Sequence, residues 1–375
     1  MTYPEESAKC VADPLAVWGM ARYRYKHMLP KRRPSALEDR ERMRLGFICE
    51  GTPNGYYRAM FPMQALEQRG HKVLWPTEAS GVPMRELLTC DLVHWYRYTD
   101  RLGDLRKLCE HGVAVSFDND DNFAAAEVSY GGEGLEGYRH NLAIFREVLK
   151  AVRLADLTTT PNELLAERYL EAGARSVAVI ENHLPRGMFG FGSRSKHKGF
   201  VVGWVAGREH APDLKRLPII HALRRLLEMH PQLRVLTAGV RLPLHSERYE
   251  HVGDVSFHEL LQLTARMDVG IAPLADTPFN RCRSNVKLKE YASGGAAWLA
   301  SPVGPYRGLG EEQGGMLVDD DDWVAAIDRL VCSPRLQRRL AKRAVKWAKA
   351  QTIDRHVERW EAAMLEAIER AAQRT

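Results

Sequence analysis

At 375 residues the chain exceeds what one ordinary hydrophobic core organises and suits two domains of roughly 150 to 200 residues each. With 45% hydrophobic and 27% charged residues, and no apolar run near the ~18 to 20 residues that a membrane span needs, the composition argues against a membrane-embedded protein. The net charge of +6 suits an anionic ligand but, spread over this length, is too mild to establish nucleic-acid binding by itself.

The opening MTYPEESAKC has no basic region followed by an apolar stretch, so no secretion signal is expected and the expected location is cytoplasmic. The first 40 residues are weakly patterned, and their basic KHMLPKRRP reads as a solvated lead-in. Short β-branched runs then alternate with helical patterns: LGFICE (45–50), KVLW (72–75), LVHW (92–95), VAVSF (113–117), LTTT (157–160) and VAVI (177–180). Residues 184–198, rich in Gly, Ser and basic side chains and without periodicity, read as a connection. A second series runs GFVVGWV (199–205), RVLTAG (234–239), VGIAPL (269–274), AAWLA (296–300) and GMLV (315–318). Leu336, Leu340, Ala344 and Trp347, then Val357, Trp360, Met364 and Ile368, recur at helical spacing and predict two terminal amphipathic helices. Strand, helix and strand at this pitch give an α/β class with two doubly wound parallel-sheet domains.

Several chemistries are excluded by absence. No Walker-type phosphate loop, G-x-S-x-G elbow, H-E-x-x-H pair or repeat of 20 to 50 residues occurs. The six cysteines lie far apart with no C-x-x-C, so they are expected to be reduced and structural. His94, His111 and His183 flank strands as ordinary half-buried residues do.

The informative stretch is FNRCRSNVKLKEYASGGAAWLAS, residues 279–301, which follows the strand VGIAPL directly. In open parallel sheets ligands sit at the carboxyl ends of the strands, where helix starts offer unpaired N–H groups and a positive dipole. Residues 284–293 predict a helix capped by Asn280 or Ser284 and stopped by Gly294, its start at Ser284 and Asn285 aimed at a ligand. Phosphate oxygens there would meet backbone amides plus Arg283 or Lys287. Glu290, about one and a half turns in, is placed to accept sugar hydroxyls, as a carboxylate holding a ribose would.

The pattern N-x-x-x-S-x-x-K-x-x-E-Y-A-x-G, followed by a strand and S-P-V-G-P-Y, resembles the nucleotide-sugar site of GT-B glycosyltransferases, in the large retaining family 4-like group related to sucrose and glycogen synthases. The resemblance extends from about residue 45 to 370 and implies two Rossmann-like domains facing a central cleft. It divides the chain into an acceptor-binding domain (1–185), a linker (186–198), a nucleotide-sugar-binding domain (199–345) and C-terminal helices (346–375) packing back toward the first domain. The acid corresponding to Glu290 holds the donor ribose in that family. Many members carry a second glutamate eight positions earlier, where this chain has Cys282.

The resemblance also covers GWVAGREHAPDL (203–214), where an Arg and a following Lys clamp the diphosphate. It assigns donor contacts to Gly207, Arg208, His210 and Lys215, with Asp213 either in the site or capping the helix that begins there. In EGTPNGYYRAM (50–60) it implies that Gly55 lets backbone approach the donor and that Tyr56 and Arg58 face the acceptor, the rival being a plain Asn54-Gly55 turn. Trp95 and Arg97, following a strand, are further acceptor candidates. Asn182 falls at the hinge. In FDNDDNF (117–123) the acids Asp118, Asp120 and Asp121 stay open between metal binding, substrate contact and loop structure, with Asp118 the first functional choice and Asp120 an acceptor contact.

The implied function is sugar transfer from a nucleoside diphosphate sugar, a UDP-sugar first, with retention and without a cofactor or an essential metal. Arg208, Lys287 and Asp118 are the expected catalytic groups. The acceptor stays open between a small metabolite, a saccharide, including a lipid-linked one, and a modified base in DNA. The rivals are a sugar-nucleotide epimerase of the same fold and a non-catalytic protein that binds nucleic acid or another polyanion.

Overall fold

The computed structural model describes residues 42–49, 53–76, 82–97, 99–128, 134–190 and 199–374. The basic stretch near residue 30 and most of the expected linker, 191–198, lie outside them. Twelve strands among the described residues form two six-stranded sheets in which every pairing is parallel. The first holds β1 (Arg44–Cys49), β2 (Lys72–Val73), β3 (Leu92–Tyr96), β4 (Ala114–Asp118), β5 (Leu157–Thr160) and β6 (Val177–Val179), in the order β2-β1-β3-β4-β5-β6. The second holds β7 (Phe200–Ala206), β8 (Leu233–Gly239), β9 (Tyr249–Val252), β10 (Val269–Ala272), β11 (Ala297–Ala300) and β12 (Gly315–Leu317), in the order β12-β11-β10-β7-β8-β9. The strand order therefore reverses between β1 and β3 and between β7 and β10, the two points where a doubly wound sheet opens a crevice at its carboxyl edge.

Both faces of each sheet are covered, as parallel sheets require. On β3 the period-2 alternation sends Val93 and Trp95 to one buried cluster, with Leu105, Val148 and Tyr169, and Leu92 and Tyr96 to the other, with Phe61 and Trp360. On β11 the same alternation sends Ala297 and Leu299 toward Leu223 and Ile327, and Trp298 toward Leu288 and Ala344. One apolar cluster runs continuously from Leu45 and Phe61 through Phe257 and Leu288 to Trp360, joining the two sheets' inner layers.

The last two helices are Pro334–Ala350 and Ile353–Ala372. The first packs on the second sheet, where its Gln337 donates to Asp268 O at 2.9 Å. The second crosses to the first sheet: its Trp360 ring meets His94, Glu366 accepts from Ser176, and Arg374 donates to Val113 O. Between them the chain touches the hinge, with Leu184 N donating to Gln351 O at 3.0 Å and Ile353 N to Leu184 O at 2.8 Å.

The carboxyl edges of the two sheets face each other. Loops after β1, β4, β5 and β6 send Tyr57, Asn122, Asn162 and Asn182 onto one short run of the second half, at Glu290, Pro278, Arg281 and Ser284. That run, 278–290, takes in the first half of the informative stretch of the sequence, 279–301.

Candidate active site

The helix of that stretch spans Val286–Ser293, two residues later than expected, and Asn285 holds its N-cap position without a side-chain cap. Neither expected cap serves. Ser284 Oγ accepts from Asn182 Nδ2 at 3.1 Å, while Asn280 Nδ2 donates to Asp213 Oδ1 at 2.8 Å and to Ala275 O at 2.9 Å. The helix start is thus left with unpaired backbone donors beside the carboxyl ends of β7 and β10. Tyr291 fixes its orientation: its hydroxyl donates to Ile271 O and accepts from Val205 N, both at 3.0 Å, tying the helix to β10 and β7.

The four cations of the run have four destinations. Arg281 pairs with Asp276 at the surface. Arg283 donates to Glu209 at 3.0 Å and lies over the Phe279 ring. Lys287 Nζ donates to Val205 O at the end of β7. Lys289 is fully buried and donates to Glu181 and to Asn182 O, both at 2.8 Å, so it ties the hinge and offers a ligand nothing.

Arg283, Lys287 and Glu290 therefore converge with the turn after β7. There Gly207 precedes the 3₁₀ turn Arg208–His210, whose Arg208 is exposed, and Lys215 is exposed near the end of the following helix, Ala211–Arg216. Burial and the neighbouring Arg283 push the Lys287 ammonium down to about 8, despite opposing carboxylates at Glu209, Glu290 and Asp213. For Glu209, burial raises the carboxyl pKa but Arg283, His210 and Lys287 outweigh it and hold it near 2. Burial raises Glu290, opposed by the Tyr57 hydroxyl and by Lys287. The Tyr57 hydroxyl donates to Glu290 Oε1 at 2.6 Å.

Asp213 does not cap its helix. Its Oδ1 accepts from Ala275 N at 3.0 Å and from Asn280, and its Oδ2 lies 3.0 Å from His210 Nδ1, so it joins the loops after β7 and β10. Burial and Lys287 lower His210 to about 4, against the pull of Asp213. A neutral imidazole beside a carboxylate places its proton on Nδ1. The buried Nε2, which has no hydrogen-bond partner among the described residues and lies 3.7 Å from Glu209 Oε1, is left as an acceptor beside the Glu209–Arg283 pair.

The first-half candidates divide. Gly55 is buried immediately before the π-helical turn Tyr56–Met60, and Tyr56 is half-buried against Phe257 of the second half. Arg58 and Asp118 are both fully buried and joined at 2.6 Å. Arg58 also reaches Ile180 O and Asn182 and lies over Trp360, while Thr159 donates to Asp118. Trp95 is 0% exposed and belongs to the core face of β3, because an odd step along the strand turns it away from Tyr96. Arg97 pairs with Asp120 and Asp121 and is the one non-glycine among the described residues at positive φ, 62°. The three acids of FDNDDNF therefore face arginines, and they do not converge on a point where an ion would sit. Tyr57 and Glu209 went unmarked in the sequence, and Tyr291 stood in the quoted pattern without an assigned role. Tyr57 and Glu209 adjoin marked residues, but neither type at that position carries a signal of its own.

No family model matches the chain, and no curated protein matches it in sequence. Solved structures do. HepE from Anabaena, solved with UDP and glucose, aligns over 86% of this chain and 99% of its own with a TM-score of 0.60 and 16% identity. An alpha-glucosyltransferase, solved with UDP and a 13-mer DNA containing a HMU base, aligns over 88% of this chain and all of its own, with a TM-score of 0.58 and 11% identity. A putative UDP-N-acetylglucosamine 2-epimerase from Listeria monocytogenes aligns over 88% and 97%, with a TM-score of 0.54 and 11% identity. At such identities the likeness establishes architecture: two Rossmann-like parallel-sheet halves, edge to edge, in the GT-B fold.

Proposed function

We propose that this protein transfers a sugar from a nucleoside diphosphate sugar, a UDP-sugar, to an acceptor held by its first half. The observation that carries the reading is the convergence of Arg283, Lys287, Glu290 and an uncapped helix start at the β7/β10 crevice, opposite the loops of the other sheet. Cations and backbone amides suit a diphosphate, and the acid behind them suits a ribose. Structural neighbours solved with UDP or UDP-glucose support the same choice of donor.

In this reading Arg208 and Lys287 stabilise the charge that develops on the departing diphosphate, and Arg283 follows if it releases Glu209. The bond from the anomeric carbon to the phosphate oxygen breaks as the bond to the acceptor oxygen forms. The acceptor's proton passes to the departing phosphate, on the face it leaves, so configuration is retained and no metal is required. His210 Nε2 accepts a hydroxyl of the transferred sugar. Asp118 acts as a positioning group, holding Arg58 and through it the loop that carries Tyr57.

A thermal-shift screen against UDP-, GDP-, ADP- and dTDP-sugars tests the donor, because a ligand at 100 times its Kd stabilises the native state by about 2.7 kcal/mol. Arg208→Ala and Lys287→Ala should each lower kcat/KM by about 10- to 150-fold, and Glu290→Ala should raise the donor KM strongly. Three variants with wild-type donor turnover would remove the site assignment. The epimerase reading of the same fold predicts an altered sugar nucleotide in the absence of any acceptor, which product chromatography separates from transfer.

A further inference from the structure

The helix Pro334–Ala350, PRLQRRLAKRAVKWAKA, carries seven cations and no acid. All seven, Arg335, Arg338, Arg339, Lys342, Arg343, Lys346 and Lys349, are exposed. Glu311 pairs with Arg339 and Arg343. Among the described residues Arg335, Arg338, Lys342, Lys346 and Lys349 have no carboxylate partner. Their steps of three and four residues place these five on one face, along about 21 Å of helix axis.

Folding does not call for this stripe. Each of the seven has a like-charged neighbour three or four residues away, a destabilising arrangement, and Arg335 sits in the first turn, where the dipole favours acids. The helix is held instead by its other face, where Leu336, Leu340, Ala341, Ala344 and Ala348 are buried. A Cβ on Gly314 would lie 2.1 Å from Ala344 N, so the 3₁₀ turn beneath packs hard against it. The stripe is a rigid rod of positive charge that begins on the second sheet and ends beside the hinge at Leu184.

The geometry points to a docking surface for the phosphodiester backbone of a nucleic acid along this helix. Over 21 Å of axis a duplex presents roughly a dozen phosphates, a linear array that matches a linear array of cations. A bilayer fits less well. Interfacial helices bury an apolar face among the lipids, and here that face is already spent on the protein core, while the exposed large apolar side chains among the described residues, Leu135, Tyr138, Leu164, Leu170, Met229 and Leu365, all lie on other elements. The surface is independent of the sugar-nucleotide reading, since none of its residues belongs to that site.

The test is fluorescence anisotropy of the full chain with a labelled 20-base-pair DNA duplex between 50 and 200 mM NaCl. Five backbone contacts predict that log K falls against log salt with a slope of about −4 to −5. Replacing Arg335, Arg338, Lys342, Lys346 and Lys349 by Gln should lower affinity at least tenfold at 50 mM salt and flatten the slope. The triple variant K342Q/K346Q/K349Q should fall between. Removing like charges from an exposed face should leave the melting temperature unchanged or raised, and the thermal shift given by UDP-glucose should not move. Replacing Arg106 and Lys107 on the first half by Gln should leave DNA affinity as it was. No binding at 50 mM salt, equal affinity of the wild type and the five-fold variant, or a preference for phosphatidylserine vesicles over the duplex would each overturn the proposal.

Discussion

The hydroxyl of Tyr57, on the turn after β1, donates to the carboxylate of Glu290, on the helix after β10, at 2.6 Å and across 233 positions of sequence. It is a direct bond between the first half of the molecule and the proposed ribose acid of the second. A donor ribose would need the same carboxylate lone pairs, so sugar nucleotide and phenol compete. Tyr57→Phe should therefore tighten UDP-glucose binding by a few-fold in calorimetric titration. The same substitution should destabilise the fold by about 1.5–3 kcal/mol in urea unfolding, because a buried charged acceptor loses its donor. Glu290→Gln should weaken donor binding. A tenfold loss in Tyr57→Phe would instead make the phenol a donor contact.

Arg58 and Asp118 form a second buried contact that reaches functional candidates, and its energetics differ. Both side chains are fully buried, and Arg58 stacks on Trp360 from the last helix while bonding Asn182 at the hinge. Removing one partner leaves an uncompensated charge, so Arg58→Met should cost about 3–5 kcal/mol. Arg58→Met with Asp118→Leu should recover much of that loss, since paired burial of charge is close to break-even against apolar packing. If Asp118→Asn alone abolishes turnover while leaving urea stability within about 0.5 kcal/mol, the carboxylate acts on the substrate and positioning is the wrong role.

The strands were legible because β-branched runs bounded by Gly and polar turns report parallel-sheet burial, and the LTTT run falls on β5 to the residue. β9, YEHV, escaped notice because all four residues are half-buried and three are ionisable, so neither alternation nor a hydrophobic run marks it. KVLW ends as a strand at Val73, although Leu74 N still donates to Leu45 O of β1 at 2.8 Å; Leu74 and Trp75 then pack into the clusters on opposite faces of the sheet. In the site, sequence spacing found the cationic helix but could not divide its cations. Lys287 and Lys289 stand about 200° apart around the helix, which sends one to Val205 and the other to Glu181. The engagement of Arg58 by Asp118 and of Arg283 by Glu209 depends on which loops the fold brings together, and no local pattern encodes that.

Gly270 on β10 lies under the ring of Tyr291, and a Cβ there would stand 2.2 Å from Tyr291 Cγ. The ring cannot yield without its hydroxyl leaving Val205 N and Ile271 O, the two bonds that orient the helix bearing Lys287 and Glu290. Gly270→Ala should cost about 1–3 kcal/mol in urea unfolding. It should also weaken UDP-glucose binding, although residue 270 touches no ligand. Unchanged donor affinity beside lowered stability would separate Tyr291 from the site.

Lys287 gives the pH dependence its sign. Burial and Arg283 hold its ammonium at about 8 in the folded chain, while an unfolded lysine titrates near 10.4. Between those values the unfolded chain binds more protons than the folded one, so this residue's contribution to stability rises with pH across the window and is least favourable below it. Arg283, Glu209, Glu290, Asp213 and His210 are the charged or titratable groups that set its field; Glu209, near 2, and His210, near 4, titrate well below that window. Lys287→Met should therefore be more stable than the wild type at pH 7, with the gap closing toward pH 10. Donor binding must move the other way, since the diphosphate needs the ammonium: wild-type affinity for UDP-glucose should decline above pH 8, approaching tenfold per unit, and the variant's weaker affinity should stay flat. A stability gap that is constant from pH 7 to 10, or a donor profile that is the same in both proteins, would place Lys287 outside the binding chemistry.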